Sequence, residues 1–160
     1  MAQNSSAPGP VTVEQFLDKY GHSALTLPDS ESVVAASGRF SESVGGKKYS
    51  IAVVLDGNNK VVGVLSLGDI VFAVQRHREK IFTLKVGDVM STKVHAARLG
   101  DDIQNLLKHM AEMNIRHMPV VEDGELKGLV TRKDVLEGLV DAAALELHSL
   151  QFVFQSGARY

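Results

Sequence analysis

One pattern of apolar and polar positions occurs twice along this chain. In SIAVVLDGNNKVVGVL (50–65), two β-branched apolar runs flank the turn residues Asp56-Gly57-Asn58-Asn59, which reads as strand, turn, strand. HMPVVEDGELKGLV (117–130) repeats the pattern, slightly shorter, with Glu122-Asp123-Gly124 at the turn. A helix is predicted before each hairpin. In the second half Asp101 and Asp102 open it, and Ile103, Leu106, Leu107, Met110 and Met113 recur at helical spacing. In the first half Asp29 and Ser30 open a weaker version. Its stripe is Val33, Ala36, Phe40 and Val44; Gly38 interrupts it and Gly45-Gly46 end it. Short extended pieces precede these helices, at 24–27 and 94–97. Another helix follows each hairpin, one led by Asp69 and the other by Asp134. The predicted unit is β-α-β-β-α, used twice, with 81–90 as connector.

The repeat is visible residue by residue. GVLSLGDI begins at Gly63 and GLVTRKDV at Gly128; Gly63 aligns with Gly128, Asp69 with Asp134, and the Ser66 hydroxyl with that of Thr131. This hydroxyl-x-x-Asp spacing supports two roles. It can cap the following helix, the hydroxyl and the acid satisfying its first N–H groups. It can also hold a nucleotide: a carboxylate accepts from both ribose hydroxyls, while the hydroxyl and free helix N–H groups face a phosphate. The roles are compatible and both stay open at this point. Arg132 and Lys133 add positive charge in the second copy, where the first has Leu67 and Gly68.

Composition narrows the classes. Among 160 residues, 44% are apolar and 22% charged, a soluble globular balance. The net charge of −2 gives no basic field for nucleic acid or an anionic membrane. No apolar run is long enough to span a bilayer. The absence of cysteine removes disulfides, thiolate metal sites and cysteine nucleophiles, and fits a cytoplasmic setting. Residues 1–10 read as a flexible leader, and FVFQSGARY at the end as an apolar tail. Nothing matches GxSxG, GxGxxG or a P-loop. His95 and His117 invite a metal hypothesis, but neither HxH nor HxxxH spacing accompanies them, so no metal is expected.

Residues 86–140, above all Ile115-Arg116-His117-Met118-Pro119-Val120-Val121 and the hydroxyl-x-x-Asp segment, resemble a CBS motif, the repeat named after cystathionine β-synthase. Residues 13–75 resemble a second, more divergent copy. The resemblance implies an α+β fold of two tandem CBS repeats, 11–80 and 81–145, packed with pseudo-two-fold symmetry (a Bateman module), followed by a helix end and tail at 146–160. It further implies a homodimer and two inter-repeat clefts for an adenine nucleotide: AMP, ADP, ATP or NAD(H).

By the same resemblance, one cleft combines Ser66 and Asp69 with Val94, His95, Ile115, Arg116, His117, Met118 and Pro119. The other combines Thr131, Arg132 and Asp134 with Ala24, Leu25, Thr26, Tyr49, Ser50 and Ile51, flanked by Lys47 and Lys48. In the first, Arg116 and His117 would supply the missing cation. Two departures imply unequal clefts: Ala96 stands where the family usually has threonine, and Tyr49-Ser50-Ile51-Ala52 replaces the basic-aliphatic-proline stretch. The expected function is a non-enzymatic regulatory module acting on a separate partner protein. The alternatives are a structural or interaction dimer with degenerate clefts, an S-adenosylmethionine binder, or a small enzyme.

Overall fold

The computed structural model describes residues 10–44, 46 and 48–156, and the side chains of these except 145, 146 and 148–156. Most of the expected leader, the packing of the aromatic tail, Gly45 and Lys47 therefore lie outside the described residues.

The elements run α1 (Val13–Tyr20), β1 (Thr26–Pro28), α2 (Val33–Arg39), β2 (Ile51–Leu55), β3 (Val61–Ser66), α3 (Leu67–His77), a 3-10 turn (Arg78–Thr83), α4 (Val86–Val89), α5 (Ile103–Glu112), β4 (His117–Glu122), β5 (Glu125–Thr131) and α6 (Arg132–Ser156). Both predicted hairpins form: β2 pairs antiparallel with β3 and β4 with β5, each with one register shift near the turn. β1 adds to β2 in parallel. Its counterpart is smaller than expected. Of 94–97 only Ala97 pairs, in parallel with Val120. Ala97 is buried whereas Ala96 is exposed, so little here holds a longer strand against the core.

Helix starts follow local chemistry. Ser32, rather than Asp29 or Ser30, caps α2 by accepting from Ala35 N at 3.1 Å, and Asp102 caps α5 by accepting from Asn105 N at 2.8 Å. Val33, Ala36 and Phe40 turn inward as the stripe predicted, as do Ile103, Leu106 and Met110; Met113 is exposed. The helix α1 precedes the predicted β-α-β-β-α unit, and Thr12-Val13-Glu14-Gln15 opens it as a capping box. Thr12 Oγ1 accepts from Gln15 N at 3.3 Å and Gln15 Oε1 accepts from Thr12 N at 3.1 Å.

The two units exchange their leading pieces. One core gathers β1–β3, α2 and α3 with Ile81 and Val86 of the connector. The other gathers α5, β4, β5 and the start of α6 with Val13, Phe16 and Leu17 of α1. Matching hydrogen bonds make the pseudo-two-fold visible: Val13 N to Asp101 O (2.8 Å) and Ile103 N to Val11 O (3.0 Å) correspond to Val86 N to Glu31 O (2.8 Å) and Val33 N to Leu84 O (3.0 Å).

The repeated glycines mark where these exchanged segments cross the hairpins. A Cβ on Gly63 would lie 2.9 Å from Ser91 O, and one on Gly128 would lie 3.0 Å from Leu17 Cδ1. Among the described residues, no helix is long and apolar enough to cross a membrane.

Candidate functional site

The most developed concavity sits where β5 turns into α6. The turn is made by Thr131, whose Oγ1 accepts from Asp134 N at 3.0 Å, a cap on the long helix. The hairpin register sets His117 opposite Thr131, and Arg132 N donates to Arg116 O at 2.9 Å. Arg116 and His117 thus lie beside the turn on the neighbouring strand. The other unit contributes Lys48 and Tyr49. Tyr49 is 6% exposed, and its hydroxyl donates to Ser23 O at 2.8 Å, which holds the ring in place. Together with Lys133, Leu136 and Glu137, these residues line an open cleft of about 710 Å³. A cavity of that size is ample for a nucleotide.

The cleft is rich in cations: Lys48, Arg116, Arg132 and Lys133 face two carboxylates, Asp134 and Glu137. Lys133 and Glu137 are 3.4 Å apart, one helical turn from each other. Among the described residues, Lys48, Arg116 and Arg132 make no ion pair within 4.0 Å. Burial pushes the His117 pKa below the usual histidine value; Arg116 adds to this, and Asp134 opposes it. The ring is therefore neutral at neutral pH and offers one donor and one acceptor. The Tyr49 pKa is raised by burial and by Asp134, so its hydroxyl keeps its proton.

This grouping redistributes the expected lining. Tyr49, Thr131, Arg132 and Asp134 come together as one set, but Arg116 and His117 join them instead of Ser66 and Asp69. The antiparallel hairpin decides this, because residues opposite each other in the register cannot serve clefts at opposite ends of the pair. Ser66 has Ile51 opposite it, and Leu67 N donates to Ser50 O at 3.1 Å. There the acid is committed to the cap: Asp69 Oδ2 accepts from Ser66 N at 2.7 Å and from Ser66 Oγ at 2.6 Å. Asp69 also borders a groove of about 290 Å³ against α4.

Leu25, Met118 and Pro119 are buried in the cores, and Ala24, Thr26, Val94, His95 and Ile115 are half-buried. Met118 also borders a groove of about 350 Å³ beside Ala96 and α5. None of these eight residues lines the large cleft. Leu136 and Glu137 went unnoticed in the sequence. The signal was helical spacing, since both lie within one turn of Arg132 and Lys133 on a helix already inferred.

These features define a class: two α-β-β-α units related by a pseudo-two-fold, the first with a full leading strand and the second with a single bridge in its place, and a ligand-sized cleft lined by both. The chain belongs to the CBS-domain family, whose profile matches residues 18–76 and 86–141. An uncharacterized protein of Methanocaldococcus jannaschii is 32% identical, with 58% of this chain and 74% of that one covered. The magnesium transporter MgtE of Thermus thermophilus is 36% identical over 61% of this chain, which spans 20% of the transporter. Among solved structures, a CBS-domain containing protein of Agrobacterium tumefaciens matches with a TM-score of 0.68 at 27% identity, covering 84% of this chain and 98% of that one. A CBS domain pair solved in complex with 5-methylthioadenosine and S-adenosyl-L-methionine matches with a TM-score of 0.67 at 19% identity, over 83% of this chain and 98% of that one, a likeness of fold.

Proposed function

We propose that this chain is a regulatory module that binds an adenine-containing nucleotide in the Thr131 cleft and transmits the bound state to a partner, without catalysing a reaction. The observation that carries this reading is the cleft itself. It holds a capped helix start, a carboxylate one turn away and four cations around a nucleotide-sized volume. Asp134 is assigned to the ribose hydroxyls and the Thr131–Arg132 turn to phosphate, with Tyr49 and His117 as walls for the nucleoside. The adenosine derivatives held by a protein of the same fold support the choice of ligand class.

Thermal unfolding with AMP, ADP, ATP, NADH and S-adenosylmethionine tests it. A ligand at about 100 times its Kd stabilises the bound form by about 2.7 kcal/mol. At ~2–4 °C per kcal/mol, that raises Tm by roughly 5–10 °C. If none of the five raises Tm, and mass spectrometry finds no adenine compound released from the purified protein, the reading fails.

A second reading is favoured by the outer surface. Phe72 is 69% and Val140 67% exposed, and Val71, Phe82 and Leu147 are also open to solvent. Apolar side chains on α3 and α6 left in water fit a second copy of the chain, so we assign these helices to a homodimer interface. If dimerisation persists with no response to any of the five ligands, the chain is an interaction dimer.

A further inference from the structure

We infer that the Thr131 cleft selects the polyphosphate chain of a nucleoside di- or triphosphate, and that the pseudo-symmetric Ser66 position binds no phosphorylated ligand, so that one nucleotide binds per chain. This inference rests on the proposed nucleotide reading and deepens it.

The register allows the two positions to be compared residue by residue. His117 lies opposite Thr131 as Ile51 lies opposite Ser66. Arg132 N bonds Arg116 O as Leu67 N bonds Ser50 O. Arg116 therefore corresponds to Ser50, Arg132 to Leu67, and Lys133 to Gly68. Continuing back along the strands, Lys48 of the first unit corresponds to Asn114 of the second. Each of the four cations lining the Thr131 cleft has an uncharged residue as its counterpart. The hydroxyl and the glycine are shared because the backbone needs them in both halves. At these four places the charges stand only on the Thr131 side.

Clustering like charges around an open volume opposes folding unless something of the opposite sign occupies it. Lys133 has Glu137 as partner, whereas Lys48, Arg116 and Arg132 have no ion-pair partner among the described residues. Three such cations exceed what one phosphate needs. They match a chain of two or three phosphates, with guanidinium groups able to hold oxygens in pairs. The same field repels the sulfonium of S-adenosylmethionine. Beside Asp69 the smaller groove has Arg76 as its one guanidinium, set among Asp69 and Asp88, so no cluster of cations meets a polyphosphate there. One oxygen of Asp69 already accepts two hydrogen bonds, so gripping a ribose diol there would require opening the cap.

The test is isothermal titration of the full chain with adenosine, AMP, ADP, ATP, S-adenosylmethionine and inorganic tripolyphosphate, repeated for the Arg116→Ser/Arg132→Leu variant, which installs the counterpart residues. We expect ATP to bind about 100-fold more tightly than adenosine, with AMP between them. That is the scale of one or two charge-assisted hydrogen bonds. We also expect one ATP per chain, and an ATP advantage that falls to a few-fold in the variant. In the wild type, raising salt should weaken ATP binding while leaving adenosine unchanged, a readout that does not depend on the variant folding. Equal affinity for adenosine and ATP, a preference for S-adenosylmethionine, or two ATP per chain would overturn the inference while leaving the cleft reading intact. If tripolyphosphate binds as tightly as ATP, the cleft is a polyanion site, and the nucleotide reading fails together with the inference that rests on it. If nothing binds, both fail.

Discussion

Replacing Asp69 with alanine separates the two roles that the hydroxyl-x-x-Asp spacing can play. In the folded chain Asp69 Oδ2 accepts from both the backbone N and the hydroxyl of Ser66, at 2.7 and 2.6 Å, while Asp69 N donates to Ser66 Oγ at 3.1 Å. Asp69→Ala leaves the last of these bonds and removes the first two. The Ser66 N–H then lies half-buried at the start of α3 without its acceptor, and the helix loses an acid in its first turn. Losing a cap costs about 1 kcal/mol, with an upper range of ~2, and the helix dipole adds a few tenths. For a chain of this size the expected fall in Tm is ~2–9 °C. Differential scanning calorimetry measures it, and the same protein is then titrated with ATP. Because Asp69 is reserved for the cap, ATP affinity should stay within about twofold of wild type, whereas Asp134→Ala should weaken it by tenfold or more. The reasoning is refuted if Asp69→Ala melts with the wild type, or if it loses ATP as Asp134→Ala does.

Three further predictions follow from other parts of the molecule. In Gly63→Ala the added Cβ would lie 2.9 Å from the Ser91 carbonyl and 2.5 Å from Met90 Sδ. Urea unfolding should show a loss of ~1–3 kcal/mol, against no loss for Gly57→Ala, whose Cβ meets nothing within 4 Å. The His117 pKa is lowered on folding, so the unfolded chain binds the proton first and stability falls as pH drops below about 6.5. His117→Gln should flatten this fall in urea titrations as the pH drops below about 6.5, and an unchanged slope would remove His117 as its cause. Finally, Phe72→Glu with Val140→Glu places charges on the exposed faces of α3 and α6, and light scattering should report a monomer for the variant where the proposed interface predicts a dimer for the wild type.

What could be read from the sequence depended on how local each signal is. Both hairpins, α5 and the inward stripe of α2 are written in neighbouring residues, and the turn residues and caps sit beside what they control. Less was legible where partners are far apart. Nothing near Val13, Phe16 and Leu17 says that they complete the core of the opposite unit. Nothing in 94–97 says that only Ala97 finds a strand partner. The cleft shows the same division. Tyr49, Thr131, Arg132 and Asp134 were grouped from the sequence, but Arg116 and His117 were assigned to the other side. The cleft instead lines Arg116 and His117 up with Thr131, because the register around the Asp123-Gly124 turn sets His117 opposite Thr131.

The residues that repeat and those that do not carry different information. Gly63 and Gly128 recur because an exchanged segment crosses each hairpin at contact distance. The hydroxyls of Ser66 and Thr131 recur because each caps a helix that starts where a strand ends. A role that the fold imposes on both halves appears in both halves, so recurrence marks the demands of the architecture. Ligand chemistry is under no such constraint, since one occupied cleft suffices for a response. The informative residues for function are then polar groups in equivalent places that fail to match: Arg116 against Ser50, Arg132 against Leu67, Lys133 against Gly68. On the proposed nucleotide reading, the difference between the halves locates the site, and the agreement between them explains why both halves fold.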